Sequence, residues 1–339
     1  MGHPNIDNKT SFAFEPVFVA DNEARPLLVA VVKATFQIEG SEKLKLAEEQ
    51  MPVNLAGQYW GDPDNSSYKY EPEGAMYKPA TDVALIGHAY GQPDRSHVLV
   101  SFRVGSLQKI ARVTGDRCWV RTFGIVHKTT PMPFERIPLI YERAFGGWDR
   151  SRQNPKLQRF DPRNPVGTGF RSWRGKFVEG LPLPNVEHPW LRQRRAHQKP
   201  PPVGFGFTAP HWKPRARFAG TYDDKWQKTR MPALPKDFDF RYFNGASEGL
   251  TTPGYLNGNE PVFIENASLE RRLYFNLPSV PPPQCNAELR GGISKPIQTV
   301  LDTVIVNTDD RVLLLFWRGH LQLRRGPEDV VAIKVGVST

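Results

Sequence analysis

The chain contains one serine in a spacing associated with nucleophilic catalysis, Gly245-Ala246-Ser247-Glu248-Gly249. In a hydrolase elbow of this GxSxG form, a strand leads into the serine and a helix follows, so the hydroxyl stands on a sharp turn. Here the continuation is LTTPGYLNGNEP. Pro253, Gly254 and Gly258 oppose a helix, so the catalytic reading is set aside. The histidines are His3, His88, His97, His127, His188, His197, His211 and His320. No two share the spacing of a helical metal site and none lies in HExxH, so no metal is expected. His88 and His127 read as satisfied residues in or beside strands. Glu142, Asp149 and Glu187 lie near tryptophans and could form the carboxylate pair of a sugar-cleaving site. The nearby arginines make turn capping and ion pairing the better account. With no P-loop and no GxGxxG after a strand, no cofactor is indicated, and the chain is expected not to be an enzyme. A carbohydrate-binding or hydrolytic role is the weaker alternative.

The cations point elsewhere. The net charge is +10, and residues 141–230 carry 19 Lys and Arg against 7 Asp and Glu, so the whole excess lies in the middle of the chain. Cations interleaved with tryptophan suit a nucleic-acid groove with stacking platforms. Tryptophan and arginine also dominate protein–protein hot spots. The arginines sit beside Asp, Glu or Pro rather than in a helical stripe, which favours a protein partner and leaves nucleic acid as the alternative.

The elements that must position these groups are mostly strands. Residues 12–39 read as a hairpin whose second arm, apolar on both faces, is buried. Short alternating runs in 82–126, punctuated about every ten residues, and again from 259 onward, fit antiparallel sheets. Asn307 to Asp310 marks a hairpin turn between two β-rich arms. Between Pro131 and Pro235 the alternation stops: sixteen of the 32 prolines and five of the eight tryptophans (Trp148, Trp173, Trp190, Trp212, Trp226) fall there. A structureless loop of that length does not suit a compact domain, and the aromatic load predicts an ordered layer over the β core. Residues 192–202 are expected to be its mobile part. One helix is expected at 225–230, with Thr221 and Asp224 as a capping box. The fold class is therefore mainly β: antiparallel sandwich- or barrel-like sheets from the two ends, a Pro/Gly/Trp-rich irregular middle layer and few short helices. The regions are 1–130, 131–255 and 256–339, with the first and last packed together as one compact unit. Two cysteines, Cys118 and Cys285, are too few for a disulfide framework. No secretory signal and no spanning apolar run are read, so a cytoplasmic location is expected.

Several words occur in one order: KPATDVALIGHAY (78–90), GDRCW (115–119), YERAFGGWD (141–149), DPRNPVGTGF (161–170), LPLPNVEHP (181–189), PVGFGF (202–207), RFAGTYDDKW (217–226), LPKDFDFRYFN (234–244), LDTV (301–304) and Trp317-Arg318. This series resembles the domain-of-unknown-function family 2169 found beside type VI secretion effectors in Gram-negative bacteria, whose members are described as effector chaperones or adaptors. The resemblance implies a partner, the cognate effector, met through its PAAR-like N-terminal region, and an indirect link to the VgrG spike. No membrane partner is implied. The anchors expected on the middle layer are Arg143, Trp148, Arg163, Trp212 and Trp226, with the competing account that Trp148 and Trp226 are core. Residues 313–317 or 12–19 are expected as an edge strand open to β-augmentation.

Overall fold

The computed structural model describes residues 4–172 and 179–337. Trp173, one of the tryptophans counted above, lies outside them. The chain is mainly β, built from several largely antiparallel sheets, none of which closes into a barrel among the described residues. The main sheet runs in the order Ala13–Ala20, Pro26–Glu39, Val312–Gln322, Val300–Asn307, Asp82–Ile86, with Lys43–Leu46 added to Pro26–Glu39. Thus the N-terminal hairpin and the C-terminal hairpin pair directly, Phe36 opposite Leu313 and Val32 opposite Trp317. Residues 27–36 are buried throughout, as expected of an arm apolar on both faces. One departure from antiparallel pairing is the strand Asp82–Ile86, which runs parallel to Val300–Asn307.

A second sheet has the order Val186–Glu187, Leu107–Thr114, His97–Val104, Pro261–Glu265, Arg272–Asn276, all antiparallel. Its inward residues Val100, Phe102, Val104 and Ile264 share one apolar core with Leu28, Val83 and Phe316 of the main sheet. A further sheet joins Asn5–Asn8, Val330–Gly336, Gln284–Leu289 and Ile293–Ile297. The last two strands were not legible in the sequence, because QCNAEL and ISKPI are polar and carry Pro296.

Residues 313–317 are corrected from edge to interior: this strand is paired on both sides and its residues are buried. Ala13–Ala20 does lie at the sheet edge.

Among the described residues the middle layer is a succession of strands of two or three residues, 3-10 turns and two short helices. Its knot lies at residues 144–170. The Asn164 side chain, fully buried, donates to the carbonyls of Tyr141 and Phe145, and Gly147 N donates to Asn164 O. Gly147 sits at φ +90°, and a Cβ there would lie 2.0 Å from the carbonyl oxygen of Gly167, so only glycine fits. The segment 192–202, expected to be mobile, is pinned by Gln193. Its buried amide donates to the carbonyls of Gly169, Ala196 and Gln198. The helix Asp224–Thr229 forms where expected, but Asp223 is its cap, accepting from Trp226 N, while Thr221 bonds Asp237 instead.

Candidate functional site

One loop, residues 244–251, connects the layer to both main sheets. Its two ends are held from below by a single carboxylate. Asp82, fully buried, accepts from Asn244 Nδ2 (3.0 Å), from Gly245 N (2.9 Å) and from Thr251 Oγ1 (2.9 Å). Lys78 Nζ donates to the same carboxylate at 2.8 Å and to Glu71, whose other oxygen meets Arg215 at 3.2 Å. Nearby, Arg318 pairs with Asp302, and Lys33 with Glu73. This seam holds four buried cations and four buried carboxylates. Burial alone would lower the Lys78 pKa, but the Asp82 and Glu71 charges hold it above its ordinary value. Gly245 is required here: a Cβ would lie 2.0 Å from a Glu71 oxygen.

The apex of the loop is held differently. Lys109 occupies an inward position on Leu107–Thr114, in phase with the buried Ala111 and Val113. Its Nζ donates to Glu248 O at 2.6 Å and to Ser247 Oγ at 3.1 Å, and it forms no ion pair among the described residues. Ser247 Oγ in turn meets Tyr141 OH at 2.5 Å. Desolvation pulls the Lys109 pKa down to about 7, and the Glu248 charge opposes that only in part. Ser247, the serine of the GxSxG spacing, is almost wholly buried. A turn and an isolated bridge follow it rather than a helix, so no nucleophile elbow is formed.

Two cavities flank this apex, both lined by Glu248 and Gly249. One, of about 340 Å³, is lined by Arg163, Lys213, Arg215, Arg217 and Arg241 together with Phe218. Arg163, Arg215 and Arg241 are paired with Asp161, Glu71 and Asp239. Lys213 and Arg217 form no ion pair among the described residues, Arg217 lying over the Phe218 ring. The other cavity, of about 480 Å³, has Lys109 in its wall with His188, Trp190, Leu191, Pro201 and Val203.

Of the five expected anchors, only Arg163 lines either cavity. Arg143 is exposed, with Asn185 Oδ1 at 3.2 Å and Asp116 Oδ1 at 3.4 Å. Trp148 is 45% exposed and stacks on Phe160, itself 42% exposed, with ring centroids 4.6 Å apart. Trp212 is corrected from anchor to core: it is 1% exposed and packs edge-on against the buried Tyr141 at 5.1 Å. Trp226 is half-buried and its indole N–H donates to Ala233 O. The account that put Trp148 in the core is therefore corrected as well.

The three carboxylates near tryptophans are all engaged within the fold. Glu142 accepts from Ser67 N and Oγ, Asp149 from Arg171, Ser151 and Ser172, and Glu187 from Arg117. Burial would raise the Asp149 pKa, but the bonds from Ser151 and Ser172 outweigh it and hold the carboxyl far below its usual range. Sequence reasoning missed Lys109, although its signal was present: a lysine in phase with the apolar alternation Leu107, Ala111, Val113. Among the described residues no group of His, Cys, Asp and Glu side chains is placed to hold a metal ion, and no helix is long and apolar enough to cross a membrane.

A family model covers residues 23–318, nearly the whole of the fold just described. The chain belongs to that family. Its description is an uncharacterized protein conserved in bacteria, DUF2169, and it assigns no role. A search of curated proteins and a search of solved structures each found no match. As a DUF2169 protein, the chain has the Trp148 pair and both loop cavities inside the family's span, so a role built on them rests on residues within the shared region.

Proposed function

We propose that this DUF2169 protein is a non-enzymatic chaperone or adaptor that holds another protein. On the resemblance described above, that protein is a type VI secretion effector, met through its PAAR-like N-terminal region and delivered towards the VgrG spike. The observation that carries the reading is the Trp148–Phe160 pair. Its rings are exposed and stacked, with Arg150 near the Trp148 ring at 5.7 Å. The next residue, Asp149, is 2% exposed and bonded to Arg171, Ser151 and Ser172. An aromatic pair fixed from beneath loses little entropy on binding, which is what an interface anchor requires. The distribution of exposed apolar side chains along the chain agrees. Nine of the 21 exposed large hydrophobic side chains of the described residues fall between 123 and 191, among them Phe123, Ile125, Trp190 and Leu191.

A chaperone of this kind favours the bound, loading-competent form of its client by mass action and must later release it. A compact aromatic anchor with a polar rim suits that better than a broad apolar face. The test is co-expression of the tagged chain with the protein encoded beside it, then capture and size exclusion at about 0.15 M and about 0.5 M salt. Co-elution at both, with a neighbour that is soluble only in company, supports the reading. A neighbour soluble alone, with only nucleic acid retained and lost at the higher salt, would replace it by the nucleic-acid alternative.

A further inference from the structure

We infer that the Lys109 cavity receives an acidic side chain from the partner polypeptide, set beside an apolar residue that packs on Trp190. This rests on the adaptor reading and names the chemistry of one contact. An ammonium has three N–H groups, and Lys109 spends two on Glu248 O and Ser247 Oγ. Both acceptors are neutral, so the charge has no counter-ion in contact, in a wall shared with Pro201, Val203 and Leu191. Charging a partly buried amine without a counter-ion is costly, and a carboxylate entering the cavity would offset that cost. Trp190, 71% exposed, and Leu191 supply the apolar contact at the rim. His188 Nδ1 accepts from the N–H groups of Trp190 and Leu191, which leaves the proton of the neutral ring on Nε2 as a second donor in the same wall.

The charge balance around the apex points the same way. Lys109, Lys213 and Arg217 line the two cavities without an ion pair among the described residues, and the carboxylate common to both walls is that of Glu248. Glu248 and Gly249 line both cavities, so the loop apex presents a cation-lined recess on either side. A partner polypeptide offers many side-chain carboxylates and a single terminal one, so the committed source is an Asp or Glu side chain and not a chain terminus. The ionisable groups that face Lys109 are Glu248, His188 and Tyr141, the last through Ser247.

The test is a titration of the full chain followed by NMR of the lysine Cε–H signals and the Trp190 indole. The probes are acetyl-Leu-Glu-Phe amide, its Gln counterpart, and acetyl-Leu-Phe with a free terminal carboxylate. The Glu peptide is expected to shift Lys109 and Trp190 with Kd on the order of a millimolar, and the Gln peptide to bind about tenfold more weakly. Glu248→Gln, which leaves Lys109 in place and removes the competing charge, should tighten the Glu peptide about threefold. Lys109→Met should abolish the Glu-over-Gln preference while Trp190 still responds. Equal binding of the Glu and Gln peptides, or a Lys109 signal that does not move, overturns the inference. A free-acid peptide that binds more tightly than the Glu peptide overturns the side-chain source. If the wild type captures its neighbour and Lys109→Met captures it equally well, this contact is wrong and the adaptor reading stands. If the wild type captures nothing, the adaptor reading fails.

Discussion

The two ends and the apex of loop 244–251 are held by opposite solutions to one problem. At the ends, Asp82, Lys78, Glu71 and Arg215 bury charge against charge in a closed set. At the apex, Lys109 reaches the same loop from the second sheet with only a hydroxyl and a carbonyl to meet it. A closed ionic set is a fastening: every charge is answered, and removing one member leaves the others exposed to an apolar surrounding. A cation with neutral partners beside a cavity has spare capacity. The chain thus uses one loop both to lock its middle layer and to present a site.

The largest effects should come from breaking the fastening. Lys78→Met leaves Asp82 and Glu71 short of a counter-charge and should cost about 3–5 kcal/mol in urea unfolding. Lys109→Met removes a charge that has no counter-ion in contact and should be neutral or stabilising. If the two variants lose the same stability, the contrast between them is broken. Trp212→Ala should cost about as much as Lys78→Met, because it opens a void under Tyr141.

A pH series sharpens the contrast. Lys109 is depressed from 10.5 to about 7 in the folded chain. Between those values the unfolded chain binds more protons, so this residue makes stability rise with pH across that window, and its penalty is complete below about pH 7. The difference between wild type and Lys109→Met should therefore grow by up to ~3 kcal/mol as pH falls from about 10 to about 7. A constant difference would mean that Lys109 has an ordinary pKa. The smallest stability effect belongs to Trp148→Ala, expected within ~0.5 kcal/mol of wild type because the ring is exposed. Its capture of the client should nonetheless weaken about tenfold or more. A stability loss approaching the ~3–5 kcal/mol of Lys78→Met would place Trp148 with the fastening instead.

The sheets were legible because strand residues announce themselves by local alternation. Pro26–Glu39, Val300–Asn307 and Val312–Gln322 are apolar runs bounded by turn residues, and each formed where read. The ionic seam was not legible, since its members at 33, 71, 73, 78, 82, 215, 302 and 318 come together only through tertiary pairing. Tryptophan burial was misjudged for the same reason. Trp148 and Trp212 stand in similar Pro/Gly-rich surroundings, and only the placement of Tyr141 under one and Phe160 beside the other separates core from surface. Lys109 could have been found, because an inward lysine breaks its strand's pattern without any knowledge of what lies opposite.

The most direct measurement is the pKa of each lysine side chain, followed by NMR of Cε-labelled lysine from about pH 5 to about pH 11 with Lys109→Met to assign the signal. One lysine titrating near 7, lost in that variant, with Lys78 held charged by Asp82 and Glu71 beyond the range of the surface lysines, is the expected result. A Lys109 signal that titrates with the surface lysines would contradict it, and would return the loop apex to an ordinary solvated contact.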